Sequence, residues 1–138
     1  MGDQKEMITV IPITRGVWSS HSNTEWEGFY FEEFVIDWSL FKEARGKLYV
    51  ETMYGNQGGK MESGELRMSY QYLPAIQIPI AGSEIKTRQK VTTRWQLLES
   101  EWFDIPTTGD VACVWIQGRA DPNCNISLAL ATLVILHE

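Results

Sequence analysis

The sequence predicts an all-β protein, an antiparallel β-sandwich of jelly-roll type, and three observations carry that expectation. Seven or eight short segments alternate apolar and polar residues with a period of two, or run apolar for a strand's length. Clusters of Gly, Pro, Asn, Asp and Ser separate them. No segment of ordinary helix length carries apolar residues at helical spacing, and no internal repeat is present. The two most apolar segments, Val111 to Gln117 and Ile126 to Leu136, flank a turn rich in Asp, Pro and Asn and are expected to form a central hairpin. The second is apolar on both faces, with Leu128, Leu130 and Val134 on one and Ala129, Ala131, Leu133 and Ile135 on the other. Both of its sides are therefore expected to be covered, by a second layer or by a neighbouring subunit.

Taken in order, residues 1–6 form a loose polar end, and MITVIPI follows as an edge strand whose Pro12 limits the pairing, because proline offers no ladder donor. SSHSNTEWEG is turn chemistry. Phe34, Ile36 and Trp38 share one face of the next strand, and the adjacent Glu32 and Glu33 predict a bulge in it. Ser39 is a good helix N-cap and Gly46 a good stop, so one helical turn is expected over Ser39 to Arg45. Lys47 to Tyr54 alternates Leu48, Val50 and Thr52 against Tyr49, Glu51 and Met53, and the glycine-rich GNQGGKMESGE after it is the long-loop candidate. Glu65 to Tyr72 turns Leu66, Met68, Tyr70 and Tyr72 inward and Arg67, Ser69 and Gln71 outward.

Pro74 and Pro79 keep Ile76, Ile78 and Ile80 out of a regular central strand and leave them as an extended edge or a partner contact. Ile85 to Ser100 is a longer strand expected to face Val91, Thr93, Trp95 and Leu97 inward. Trp38, Trp95 and Trp115, which sit in strand patterns, are expected in the core.

At 138 residues the chain is expected to be a single sandwich domain spanning 1–138, long enough to bury its core without disulfides. Apolar residues make up 43% and charged residues 22%, an ordinary globular balance, and the longest apolar run is too short to span a bilayer. The opening MGDQKEMITV lacks the order of a secretory signal, and Glu6 stands where a myristoylation motif needs Ser or Thr. No membrane insertion is expected. A formal charge of −6 argues against a nucleic-acid partner, although Lys86, Arg88, Lys90 and Arg94 would share one face of a strand as a solvated surface or an anion-binding strip. Cys113 and Cys124 are expected as free thiols, too far apart across the hairpin for a disulfide. With His21 and His137 far apart, no zinc signature exists and no cofactor is expected.

Acidic pairs occur at Glu32 with Glu33, Glu62 with Glu65, and Glu99 with Glu101; the adjacent Glu32 and Glu33 point to opposite faces of a strand and do not pair without a bulge, such acids are ordinarily solvated, and an acid-pair glycosidase ranks last among the readings. No nucleophile elbow, P-loop or dinucleotide motif is present, so an enzyme is not expected. Asp121, Asn123 and Asn125 alternate like the start of a calcium loop, yet the glycine and the final acid of that motif are missing, which leaves turn chemistry. Asn125-Ile126-Ser127 fits a glycosylation acceptor. Trp18, Trp26 and Trp102 lie beside loops, with Tyr54 at a strand end; such rings either cap the open ends of a sandwich or stack on a sugar.

The order TRWQLLESEWFDIPTTGDVACVWIQGRA followed by ISLALATLVI resembles the C-terminal part of jelly-roll modules in carbohydrate-binding domains and in phage and virus surface or tail-fibre proteins. The resemblance covers the last third to half of the chain. It implies either assembly into trimers and shells or glycan binding through loop and concave-face aromatics; the structural calcium of many such modules has no complete loop here. The leading expectation is a non-enzymatic structural or attachment module, a homo-oligomer of three or more copies with a virion location, with Ile76, Ile78, Ile80 and the outer face of the last strand between subunits. The alternative is a carbohydrate-binding module using Trp18, Trp26, Trp102 and Tyr54, with Arg94 or Gln96 donating hydrogen bonds.

Overall fold

The computed structural model describes residues 6–13, 19–21, 24–29, 34–41, 43–56, 64–71, 78–87, 95–106, 111–120 and 124–138. Twelve strands run through them: β1 (Met7–Pro12), β2 (Ser19–His21), β3 (Glu27–Gly28), β4 (Phe34–Asp37), β5 (Arg45–Asn56), β6 (Glu65–Gln71), β7 (Ile78–Pro79), β8 (Ile85–Lys86), β9 (Gln96–Glu99), β10 (Phe103–Asp104), β11 (Val111–Arg119) and β12 (Cys124–His137). All of their pairings are antiparallel.

The short strands are pieces of longer ones. β5 occupies one edge of β12, so β1 and β2, which pair with two ends of β12, share its other edge. By the same reasoning β9 and β10 share the far edge of β5, β3 and β4 share one edge of β11, and β7 and β8 share the far edge of β6. Eight lines of pairing result. Sheet A runs β1/β2, β12, β5, β9/β10, and sheet B runs β3/β4, β11, β6, β7/β8. Consecutive lines alternate between the sheets except where β6 meets β7/β8, which gives a jelly-roll-like sandwich.

The expected hairpin is not formed. β11 lies in sheet B and β12 in sheet A, so the Asp-Pro-Asn connection carries the chain from one layer to the other. Each strand finds a better-matched neighbour elsewhere: β12 pairs with β5 over Cys124 to Leu136 and β11 with β6 over Cys113 to Arg119, while the turn residues 121–123 lie outside the described residues. The core forms between the sheets, where Leu48, Val50, Leu133 and Ile135 of sheet A meet Leu66, Met68, Val114 and Ile116 of sheet B. Alternation in β5 and β6 placed Leu48, Val50, Thr52, Leu66, Met68 and Tyr70 on the inward faces, and Tyr72 lies outside the described residues.

The last strand carries a phase change. Its register against β5 slips between Leu128 and Leu130, so Ile126 and Leu128 face in before the bulge and Ala131, Leu133 and Ile135 face in after it. What reads as an apolar surface on both sides is one buried face that changes parity at Ala129. Beyond the bulge, Val134 and Leu136 point outward and are half-buried.

Two breaks in the sheets are closed by the same device. Between β7 and β8 the β6 ladder lacks a partner at Met68, whose N–H donates to Ser83 Oγ (3.0 Å) while Ser83 Oγ donates to the Ile80 carbonyl (2.7 Å). Between β9 and β10 the Leu48 N–H donates to Ser100 Oγ (2.9 Å) and Ser100 N–H to the Leu48 carbonyl (2.8 Å). Each buried serine thus satisfies a backbone donor that the interrupted strand leaves over.

Several local expectations are corrected. The helical turn is a 3-10 turn at Trp38–Leu40 capped by Asp37, and Gly46 lies inside β5, packed under Phe103 and Ile105. Trp95 and Leu97 point outward, Leu97 at 73% exposure, while Gln96 and Leu98 turn in opposite Thr52 and Val50. Ser100, locked to Leu48, sets that register one residue away from the expected one. Trp38 is in the core, but Trp115 faces outward from β11 and is half-buried. The bulge expected at Glu32 and Glu33, the GNQGGK loop, and Arg88, Lys90 and Arg94 lie outside the described residues.

Candidate functional site

The outer face of sheet B holds the densest arrangement of polar and aromatic groups. Register places Arg67 opposite Gln117, Glu65 opposite Arg119, and Gly28 opposite Gln117 on the far side. All share one face, and Trp26, which precedes β3, adds its indole to it. The Arg67 guanidinium carbon stands 4.1 Å from the Trp26 ring centroid and that of Arg119 stands 4.6 Å away. β11 separates β3 from β6, so the indole spans β11 to reach Arg67. Arg67 Nε donates to Gln117 Oε1 at 2.7 Å, and Arg119 pairs with Glu65 at 2.9 Å.

Among the described residues no carboxylate touches Arg67. Burial first, and then the positive charge of Arg119, hold its guanidinium below the usual arginine pKa, with Glu84 and Glu65 acting in the opposite direction. It still carries its charge at any ordinary pH. The result is a partly desolvated cation beside a second cation, braced by an indole.

The outer face of sheet A is different. Its edge, β1, exposes Ile8 (67%) and Val10 (60%), which lie beside Leu136 and Val134 as an apolar stripe. The Ile13 N–H bonds to the Ala131 carbonyl, so odd-numbered residues of this edge exchange hydrogen bonds with β12. In an antiparallel pair the alternate residues turn their N–H and C=O groups the other way. Ile8 and Val10 therefore aim backbone donors and acceptors at an edge that no described strand occupies. Beyond the stripe, Arg45 and Lys47 lie 5.8 and 5.5 Å from the ring centre of the exposed Trp102, and Lys47 pairs with Glu99 at 3.3 Å.

An open recess of about 750 Å3 at one end of the sandwich is lined by residues including Glu43, Arg45, Tyr70, Ile80, Asp104 and Pro106. No group of three or more metal-ligating side chains occurs among the described residues. No helix among them is long and apolar enough to cross a membrane.

The expected glycan-binding set is not brought together. Trp26 lies on the outer face of sheet B and Trp102 against the outer face of sheet A, while Tyr54 is in β5 of sheet A. Gln96 is buried between the sheets and does not reach a surface. Trp18 and Arg94 lie outside the described residues. Of the expected interface, Ile78 is partly exposed at the edge of sheet B, but Ile80 is 4% exposed and belongs to the core, because its N–H and C=O tie it to Met68 and Ser83. Ile76 lies outside the described residues. Sequence reasoning missed Arg67, Gln117 and Arg119; the only signal was Arg67 on the polar face of its strand.

No protein-family model matches the chain, and no curated protein matches it. Among solved structures, a chain in the structure of infectious bursal disease virus Gx strain aligns with 98% of this chain at 10% identity and a TM-score of 0.32. This chain spans 38% of the length of that one.

Proposed function

We propose that the protein is a non-enzymatic structural or attachment module that assembles with copies of itself through the β1 edge of sheet A, with a virion as the setting. The carrying observation is the edge of β1, which no described strand occupies and which aims the N–H and C=O groups of Ile8 and Val10 outward beside an exposed apolar stripe. Folded proteins ordinarily blunt such edges with charge, bulges or a covering segment, and MITVIP carries no charge. Pro12 alone interrupts the outward donors. Antiparallel pairing of two copies about a two-fold near Thr9 sets Ile8 of one copy against Val10 of the other and satisfies both. Jelly rolls serve as viral capsid and lectin domains, which supports the setting as fold-level analogy.

Edge pairing closes as a two-fold, so the smallest assembly is a dimer rather than the trimer expected from the sequence. Light scattering at micromolar concentration tests this. A mass of twice the chain or more is expected, reduced to one chain by Val10→Lys, because an edge lysine opposes strand pairing. A parent chain that is monomeric overturns the proposal. A second reading, a carbohydrate-binding module, is favoured by Trp26 beside the Arg67 and Arg119 guanidiniums rather than by the four aromatics first considered; a glycan array without binding removes it.

A further inference from the structure

We propose that the outer face of sheet B binds the carboxylate of an acidic sugar, with Arg67 as the anchor, Trp115 as the platform for the ring, and Gly28 as the opening. The site deepens the attachment half of the reading above and rests on it.

Arg67 is the first reason. Its guanidinium spends Nε on the neutral Gln117 and leaves the paired Nη donors without a hydrogen bond among the described residues. A guanidinium fork matches a carboxylate bidentately. Burial and Arg119 both oppose the charge on Arg67, so the arrangement is unfavourable when empty and is relieved by an anion. Groups held against their own preference in this way collect at functional sites.

Gly28 is the second. It stands opposite Gln117 on the same outer face, and a Cβ built on it meets no atom within 4 Å. The outer side of Gly28 is therefore open, although Gln117 itself is buried. At Gly118, one residue on and facing inward, a Cβ would stand 2.5 Å from the Phe29 ring. The contrast marks Gly28 as space on the surface and Gly118 as space required by the core.

Trp115 is the third. It lies two residues from Gln117 on that face of β11, opposite Ser69, and no ring or cation stacks on it among the described residues. The faces of Trp26 are occupied differently, since that indole braces Arg67 and Arg119. A pyranose lying on Trp115 would place a ring carboxylate toward Arg67. The ligand is a monoanion because Glu65 and Glu84 already act on Arg67 and the chain carries −6 overall; a phosphate dianion or a polyanion meets more repulsion there.

The test is titration of the full chain, followed by NMR or calorimetry, with sialic acid and glucuronic acid, and with glucose and acetate as controls. The sugar acids are expected to saturate with a dissociation constant on the order of 1 mM. Glucose is expected not to bind, and acetate to bind about tenfold more weakly. Arg67→Gln and Gly28→Leu are each expected to lower sugar-acid affinity about tenfold or more. Gly28→Leu fills open space without touching the core, so its thermal midpoint stays at the parent value. Sugar acids that fail to bind at tens of millimolar overturn the proposal, as does full binding by Gly28→Leu. Acetate binding as tightly as the sugar acids overturns it too, since the site would then hold an adventitious ion only. Light scattering on the same samples fails or succeeds independently: a monomer that binds sugar acids refutes the assembly and keeps the site.

Discussion

The bulge in β12 is tested by two substitutions two residues apart, Leu128→Ala and Leu130→Ala. A strand with an unbroken period of two places both side chains on one face and makes their losses alike. Here Leu128 is fully buried between the sheets, whereas Leu130, past the bulge, is on the outer face at 37% exposure. Removing the Leu128 side chain forfeits its transfer free energy and leaves an enclosed cavity between β12 and sheet B, together about 3–5 kcal/mol. At Leu130 the deleted atoms border solvent, no cavity is enclosed, and the loss is about 1 kcal/mol. For a chain of this size each kcal/mol shifts the thermal midpoint by roughly 3–5 °C. Leu128→Ala should therefore melt more than about 10 °C below the parent. Urea denaturation followed by circular dichroism, compared at equal m-value, reads the difference. Equal destabilisation by the two substitutions would refute the phase change and return the strand to a straight one.

Ser83→Ala and Ser100→Ala each leave a buried backbone N–H, of Met68 and Leu48, without its acceptor, and each is expected to cost about 1–3 kcal/mol. The two serines lie in different sheets, so the double variant should lose the sum, and a marked shortfall in chemical denaturation would show that the ladders close without them. Gly118→Ala drives a Cβ into Phe29 and should destabilise by about 1–3 kcal/mol, while Gly28→Ala should match or slightly exceed the parent; the order of the thermal midpoints decides. Asp37→Ala removes the acceptor for the Ser39 N–H and should cost about 0.5–1 kcal/mol, with no measurable loss indicating that water replaces it.

Strand identity and facing were legible wherever a regular alternation ran uninterrupted. Leu48, Val50 and Thr52, and Leu66, Met68 and Tyr70, needed only the two-residue period. Facing failed where one residue changed the count: Ala129 in the bulge, and Ser100, whose bonds to Leu48 set Trp95 and Leu97 outward and Gln96 inward. Neither is visible in composition, because a serine beside two glutamates looks like a surface turn. Sheet membership was not legible at all. β11 and β12 are adjacent in sequence and joined by good turn residues, yet their pairing is decided by β6 and β5, which are far away along the chain. The Trp26, Arg67 and Arg119 cluster was hidden for the same reason. Each residue sits unremarkably on or just before its own strand, and only the order β3, β11, β6 brings them onto one face.

The two surfaces lie on different sheets, and this makes their combination testable. Pairing through β1, if it forms as proposed, takes up the edge of sheet A and makes no contact with Arg67, Gly28 and Trp115 on the outer face of sheet B. Each copy in an assembly then presents its own weak site, and one copy bound to a surface raises the effective concentration of the next. Such linkage strengthens attachment by about 10²–10⁴-fold without a new contact, provided that the geometry allows simultaneous engagement. The parent chain should be retained on a surface densely coated with sugar acid, and Val10→Lys should wash off it, while both give the same per-site affinity in solution titration. Equal retention of the two would separate attachment from assembly and leave the β1 edge without a part in it; a changed solution affinity in Val10→Lys would show that the edge and the site are not independent.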